Sequence, residues 1–194
     1  MGYEFEMKYA STPAQQEKIA AALGQDFDTF EMETTYYDTP GGELSARRWT
    51  LRRRYENGNP VCTLKTPAGK LGRGEWDCIA ETIEDAIAEL AGLSGRTELA
   101  ELAGHGLVAI CGARFRRMAY AASCKETLVE VAVDSGILFG GGQEKPLCEV
   151  EIELKQGSRE EAARYAAGLA AQFGLIPEPR SKFRRALELT IDNG

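Results

Sequence analysis

Tyr3-Glu4-Phe5-Glu6-Met7-Lys8 sets charged and apolar residues in strict alternation. A β-strand sends successive side chains to opposite faces. Glu4, Glu6 and Lys8 therefore share one face, and Tyr3, Phe5 and Met7 the other. Two carboxylates about 7 Å apart along a strand form half of a site for a hard cation, and the lysine beyond them suits an anion carried by that cation. Glu149-Val150-Glu151-Ile152-Glu153 repeats the alternation late in the chain. Two acidic strands from opposite ends of one chain predict a divalent metal held between them. Each strand alone also reads as the solvated face of a half-buried sheet; repetition of the pattern along the chain weighs against that.

The repetition is extensive. In Leu51-Arg52-Arg53-Arg54, Arg52 and Arg54 share a face that Arg48 and Thr50 continue. Thr63 and Lys65 alternate with Cys62 and Leu64; Arg73, Glu75 and Asp77 oppose Trp76 and Cys78. Val129, Val131 and Val133 form an apolar row opposite Glu130 and Asp134, while Arg114, Arg116 and Arg117 crowd around Phe115. Strands are predicted near 2–9, 28–38, 46–55, 60–66, 72–81, 107–120, 125–134 and 146–155. Most are joined by short turns such as Asn57-Gly58, which makes them mostly antiparallel. Helices are predicted from Ala14 to Leu23 behind Thr12-Pro13, from Thr82 to about Leu90, near 97–103, from the capping box Ser158-Arg159-Glu160-Glu161 to Phe173, and from Ser181 to Leu189.

About eight antiparallel strands can close into a barrel with room for one small ligand. An open sheet with one wet face would alternate in the same way, but its polar face would be rich in Thr, Ser, Gln and Asn. Here it is rich in full charges, which favours an α+β fold whose barrel turns those charges inward. Ionised groups inside a barrel are costly unless paired or liganded, so the interior implies a highly charged ligand: acids for cations, bases for phosphates.

The 194 residues, 43% of them hydrophobic, suit one domain, 1–194, with a real core. A net charge of −7 argues against nonspecific nucleic-acid binding. No apolar run suits a membrane span and no signal peptide is visible. The five cysteines are scattered with no C-x-x-C, which suits buried apolar roles in a reducing, cytoplasmic setting. His105, the only histidine, sits between Gly104 and Gly106 and reads as a loop residue; this removes most support for His-based zinc sites or Ser-His catalysis.

The ordered set Glu4-x-Glu6-x-Lys8, Tyr36-Tyr37-Asp38-Thr39-Pro40, Leu51-Arg52-Arg53-Arg54, Thr63-Leu64-Lys65, Glu149-Val150-Glu151 and Ser181-Lys182-Phe183-x-Arg185 resembles the CYTH family, the triphosphate tunnel metalloenzymes. The resemblance spans essentially the whole chain. It implies an eight-stranded antiparallel tunnel surrounded by helices, a triphosphate-containing small molecule as ligand, and Mg²⁺ or Mn²⁺ as cofactor. It implies Glu4, Glu6, Glu149, Glu151, Glu130 and Asp134 as metal ligands, with Glu153 extending the last acidic strand. Lys8, Arg52, Arg54, Lys65, Arg73, Arg117 and Lys182 would bind substrate, and Lys8, Arg52, Arg54, Lys65 and Glu75 would carry the chemistry.

Three departures accompany it. The His-Phe pair that precedes Glu-x-Glu-x-Lys in class IV adenylate cyclases is missing, and so is the His-rich CHAD domain of many bacterial inorganic triphosphatases. Arg53 stands where an outward aliphatic residue is usual. The expectation is a metal-dependent triphosphatase closest to the bacterial enzymes without CHAD. Thiamine triphosphatase or adenylate cyclase is the enzyme alternative, and a polyphosphate- or nucleotide-binding module the non-enzyme one.

Overall fold

The computed structural model describes residues 5–67 and 73–191. Glu4 and the side chain of Arg73 lie outside what is described. The strands are β1 (Glu6–Ala10), β2 (Asp28–Asp38), β3 (Thr50–Glu56), β4 (Asn59–Pro67), β5 (Arg73–Cys78), β6 (Val108–Cys124), β7 (Thr127–Gly140), β8 (Gln143–Gln156) and the two-residue β9 (Ile176–Pro177). The helices are α1 (Pro13–Leu23), α2 (Glu43–Ala46), α3 (Ile83–Ser94), α4 (Glu98–Ala103), α5 (Arg159–Phe173) and α6 (Lys182–Ile191). All pairings are antiparallel, in the order β5-β4-β3-β2-β6-β7-β8-β1-β9.

The sheet curls on itself. Glu6 and Lys8 of β1 line the same cavity as Lys65 of β4 and Glu75 of β5, although these strands lie toward opposite ends of the strand order. Among the described residues no ladder joins β5 to β1, so the tunnel closes by curvature and side chains rather than by a last row of backbone hydrogen bonds. The eight-stranded α+β tunnel expected from alternation is thus present, with β9 as a short ninth strand.

Alternation decides which helices go where. The outward apolar rows Val129, Val131, Val133, Val150 and Ile152 pack under α1 and α5 through Ile19, Ala162 and Ala166. Leu51, Cys62, Leu64 and Cys78 pack under α3 and α4 through Ile83, Leu90, Leu99 and Leu102. Thr12 caps α1 as read and forms a full capping box with Gln15; at α5 only half of the expected box forms, Ser158 accepting from the Glu161 N–H while its own N–H donates to Thr127 Oγ1.

The strand expected from 46 begins only at Thr50: Glu43–Ala46 form α2 and Arg48 sits at φ 61°, so Arg48 does not continue the Arg52 and Arg54 face. Two further features depart from the sequence reading. β7 and β8 run well past 134 and start well before 146, joined at Gly141 and Gly142, both at positive φ (57° and 76°). That glycine run resembles a loop, but paired positive φ values are what a tight hairpin needs. The second is α6. It packs on the charged face rather than outside it, its Ala186 and Leu189 against Met32, Phe115, Leu138 and Leu147. These residues share strand parity with Arg117, Asp134 and Glu149, so one end of the interior is apolar and filled by a helix. Gly140 permits this approach: a Cβ there would stand 2.7 Å from the Ala186 carbonyl oxygen.

Candidate functional site

Register assembles the site. Glu6 of β1 faces Glu153 of β8, which faces Glu130 of β7, giving a row of carboxylates across three neighbouring strands. One step along, Lys8 faces Glu151. At the next step Glu149 faces Asp134, which faces Arg117 of β6. On the other wall Arg52 and Arg54 of β3 point inward, and Lys65 of β4 faces Glu75 of β5. Arg53 points outward, where its guanidinium lies 5.0 Å from the Tyr55 ring centroid and donates to the Glu81 carbonyl oxygen at 2.9 Å. The extra arginine therefore leaves the register of this strand intact.

A cavity of 480 Å³ is lined by Glu6, Lys8, Arg52, Arg54, Lys65, Glu75, Arg117, Glu151, Glu153 and Lys182. A second space of 420 Å³ shares Arg52, Arg54, Glu75, Arg117 and Glu153 with it, so the arginines stand midway along one passage. Glu130 lines only the second space, with Lys155 Nζ 3.5 Å away.

Asp134, Glu149 and Glu151 offer oxygens within 4.8 Å of one another. Protein cations already occupy that triad. Lys182 Nζ lies 2.7 Å from Asp134, 2.5 Å from Glu149 and 2.8 Å from Glu151. Arg117 donates through Nε and Nη2 to the two oxygens of Asp134, both at 2.8 Å, and through Nη2 to Glu151. Arg185 donates to Glu149. Asp134 and Glu149 are fully buried and absent from the cavity wall, whereas Glu151 faces it. Burial pushes the Glu149 carboxyl up; at Glu151 burial is outweighed by Lys182 and Arg117, which hold it well below the usual range. The carboxylates raise Lys182 against its own burial.

The opposite wall is under-compensated. Burial, then repulsion from Arg52 and Arg117, lowers Arg54 to about 10. Its Nε bonds only the neutral Thr34 hydroxyl, at 3.1 Å, and the nearest carboxylate, Glu56, is 3.5 Å from Nη1. Arg52 reaches Glu75 at 3.3 Å, but its buried Nε has no partner among the described residues. Two arginines that meet their carboxylates only at 3.3 and 3.5 Å, beside an open cavity, make an arrangement that suits an anion.

The sign of the Arg54 shift gives a prediction. A base with a folded pKa below its unfolded value is less stable charged in the fold, and the fold gains stability only as pH rises through about 10. Arg54→Met should therefore leave the ligand-free melting temperature unchanged or raised at pH 7, while weakening polyanion binding about tenfold or more. A large drop in melting temperature, measured calorimetrically, would refute the strained-cation account.

Sequence reading gave several wall residues no role. Tyr36 and Phe183, each inside a quoted motif, meet at a tilt of 48° with centroids 4.9 Å apart and line the cavity beside Lys182. Arg159 reaches the same cavity from the start of α5, over Phe5. Strand alternation does not single them out, because only the fold brings their separate elements together. Asp38, within a quoted motif, is structural: its carboxylate accepts the N–H groups of Thr39, Leu44 and Ser45 at 2.7, 2.8 and 3.0 Å, pinning the turn from β2 into α2. His105 bonds Glu43 in an exposed loop, away from the cavity.

Comparison with known proteins agrees with this architecture. The CYTH domain family matches residues 2–187. An inorganic triphosphatase of Haemophilus influenzae is 27% identical over 190 residues, covering 94% of this chain and 53% of its own length. The chain thus spans about half the length of that curated relative. A candidate adenylate cyclase from Bacillus halodurans superposes with a TM-score of 0.65 at 19% identity, covering 94% of this chain and 96% of its own. A candidate adenylyl cyclase from Hippeastrum with a dominant triphosphatase activity gives 0.63 at 19% identity, covering 95% of each chain. At those identities the two structures establish the shared fold.

Proposed function

The chain belongs to the CYTH domain family, and from that premise we propose that it is a metal-dependent triphosphatase cleaving inorganic triphosphate to diphosphate and phosphate. The observation that carries the reading is the convergence of Arg52, Arg54 and Arg117 midway along one passage, with Arg54 depressed to about 10 and Arg52 Nε left unpaired. The inorganic triphosphatase relative supports it.

A hard divalent cation fits the donor set. Glu6, Glu151 and Glu153 face the cavity with carboxylate oxygens, the ligand type Mg²⁺ and Mn²⁺ take, although Glu151 also meets Lys182 and Arg117 and Glu153 meets Lys155. With Glu4 they would hold the ion. Asp134 and Glu149 are saturated by Lys182, Arg117 and Arg185 and sit behind the wall. When bound, the ion would neutralise phosphate oxygens and make a coordinated water more acidic.

The chain's own residues do the rest. Lys8, Lys65 and Lys182 bind the phosphate chain as point charges, and Arg52, Arg54 and Arg117 clasp it with planar donor pairs. Glu75, anchored by Lys65 at 2.6 Å and Arg52 at 3.3 Å, is the carboxylate that orients the attacking water. Water attacks the terminal phosphorus in line, its proton passing to Glu75, and the bond to the bridging oxygen breaks. The diphosphate leaves with its new charge stabilised by the arginines.

A phosphate-release screen over triphosphate, ATP, thiamine triphosphate and long polyphosphate, with Mg²⁺ and with Mn²⁺, tests the reading. Triphosphate should react fastest, and ATP should yield ADP and phosphate. Cyclisation needs the ribose 3′-hydroxyl held in line with the α-phosphorus, whereas hydrolysis needs only the phosphate tail and water. Cyclic AMP as the main ATP product reverses the reading towards cyclase. Binding of triphosphate without turnover of any substrate makes the chain a binding module.

A further inference from the structure

α6 carries two cations one turn apart, Lys182 and Arg185, which meet on a single carboxylate. Lys182 Nζ donates to Glu149 Oε1 at 2.5 Å, and Arg185 Nη2 donates to Oε2. Glu149 is 0% exposed. Lys182 lines the cavity; Arg185 does not. The buried group comprises the acids Asp134, Glu149 and Glu151 and the cations Arg117, Lys182 and Arg185. With all three carboxylates ionised, it is electrically balanced only when Arg185 is counted.

We infer that Arg185 is a positioning residue for the triphosphate site, neutralising Glu149 so that Lys182 can direct its charge at the substrate instead of spending it on the acids behind it. The inference rests on the triphosphatase reading above. Without Arg185, three carboxylates would face two cations where water is excluded. Uncompensated charge in such surroundings acts strongly on its nearest counter-ion. That counter-ion is Lys182, whose ammonium already touches all three acids and sits on a flexible stem. It would be drawn further into the triad and its field at the cavity cancelled. The helix itself is seated independently, by the Phe183 ring against Tyr36 and by the close approach of Ala186 to Gly140. The guanidinium of Arg185 can thus be removed without removing the helix from its place.

The test is calorimetric binding of tripolyphosphate in the presence of a chelator, so that no metal contributes. It uses the wild type, Arg185→Ala, Arg185→Lys, Lys182→Ala and the double variant Lys182→Ala/Arg185→Ala, with melting temperatures for each. Arg185→Ala should bind about tenfold more weakly, the scale of one charged hydrogen bond, and Arg185→Lys should stay within about threefold of wild type. In the Lys182→Ala background, loss of Arg185 should change affinity little, because its effect passes through Lys182. If Arg185→Ala does not fold, Arg185→Gln serves the same comparison. Wild-type affinity in Arg185→Ala, or an equal loss in both backgrounds, overturns the inference while leaving the triphosphatase reading standing. If the wild type binds only with Mg²⁺ present, the same series is run with Mg²⁺; a wild type that binds no tripolyphosphate under either condition overturns both.

Discussion

Arg117→Met should destabilise the fold by about 3–5 kcal/mol and lower triphosphate turnover by about a hundredfold or more. Arg117 makes a two-point contact with Asp134, which is fully buried, and a third contact with Glu151. Methionine fills much of the same space but leaves Asp134 and Glu151 to share Lys182 alone. Breaking one side of a buried pair is what makes the change expensive; the pair itself adds little over an apolar replacement. The double variant Arg117→Met/Asp134→Leu should therefore recover most of the lost stability while remaining inactive, since the substrate loses the same guanidinium. Urea unfolding and phosphate release on the three proteins separate the two effects. Restored activity in the double variant would show that Arg117 serves the fold and not the anion.

Glu6→Gln should reduce turnover well over tenfold, and excess chelator should abolish it in the wild type. Glu6 is partly exposed at the cavity, with Glu153 as its cross-strand neighbour and Lys8 Nζ 3.2 Å away. The amide is isosteric, and surface ion pairs of this kind contribute little to stability, so the melting temperature should move little. What the change removes is an anionic oxygen donor for a hard cation. Raising the Mn²⁺ concentration should then restore part of the activity, as expected when affinity for the ion is what was lost. Full activity in chelator, or a Glu6→Gln variant with unchanged metal response, would exclude a divalent ion from this wall.

Much of this was legible in the chain because strand alternation is a local property. Side-chain direction at Glu6, Lys8, Arg52, Arg54, Lys65 and Glu151 follows from parity, and parity survives whatever the sheet does globally. Arg53 shows the same rule from the other side: a charge out of place in the motif, yet pointing outward as its position demands. Arg117 could be picked from Arg114, Arg116 and Arg117 only loosely: alternation sets it on the face opposite the other two but does not say which face is inward. Register settles it, by placing Arg117 opposite Asp134 while Arg114 turns to Glu144 on the surface.

The acidic residues divide in a way no spacing announces. Glu149, Glu151 and Glu153 are equivalent by alternation, but their surroundings differ. Glu153 meets Lys155 at 2.7 Å, Glu151 faces the cavity, and Glu149 is closed over by α6. The sequence by itself determined an antiparallel α+β tunnel, the inward face of each strand and the inventory of charges upon it, because these depend on near-neighbour geometry. Only the tertiary structure decided which charges neutralise one another and which remain for a ligand. Electrostatic balance depends on distance and burial across the whole fold. A helix arriving from the far end of the chain, carrying Lys182 and Arg185, changes the meaning of carboxylates more than thirty residues before it.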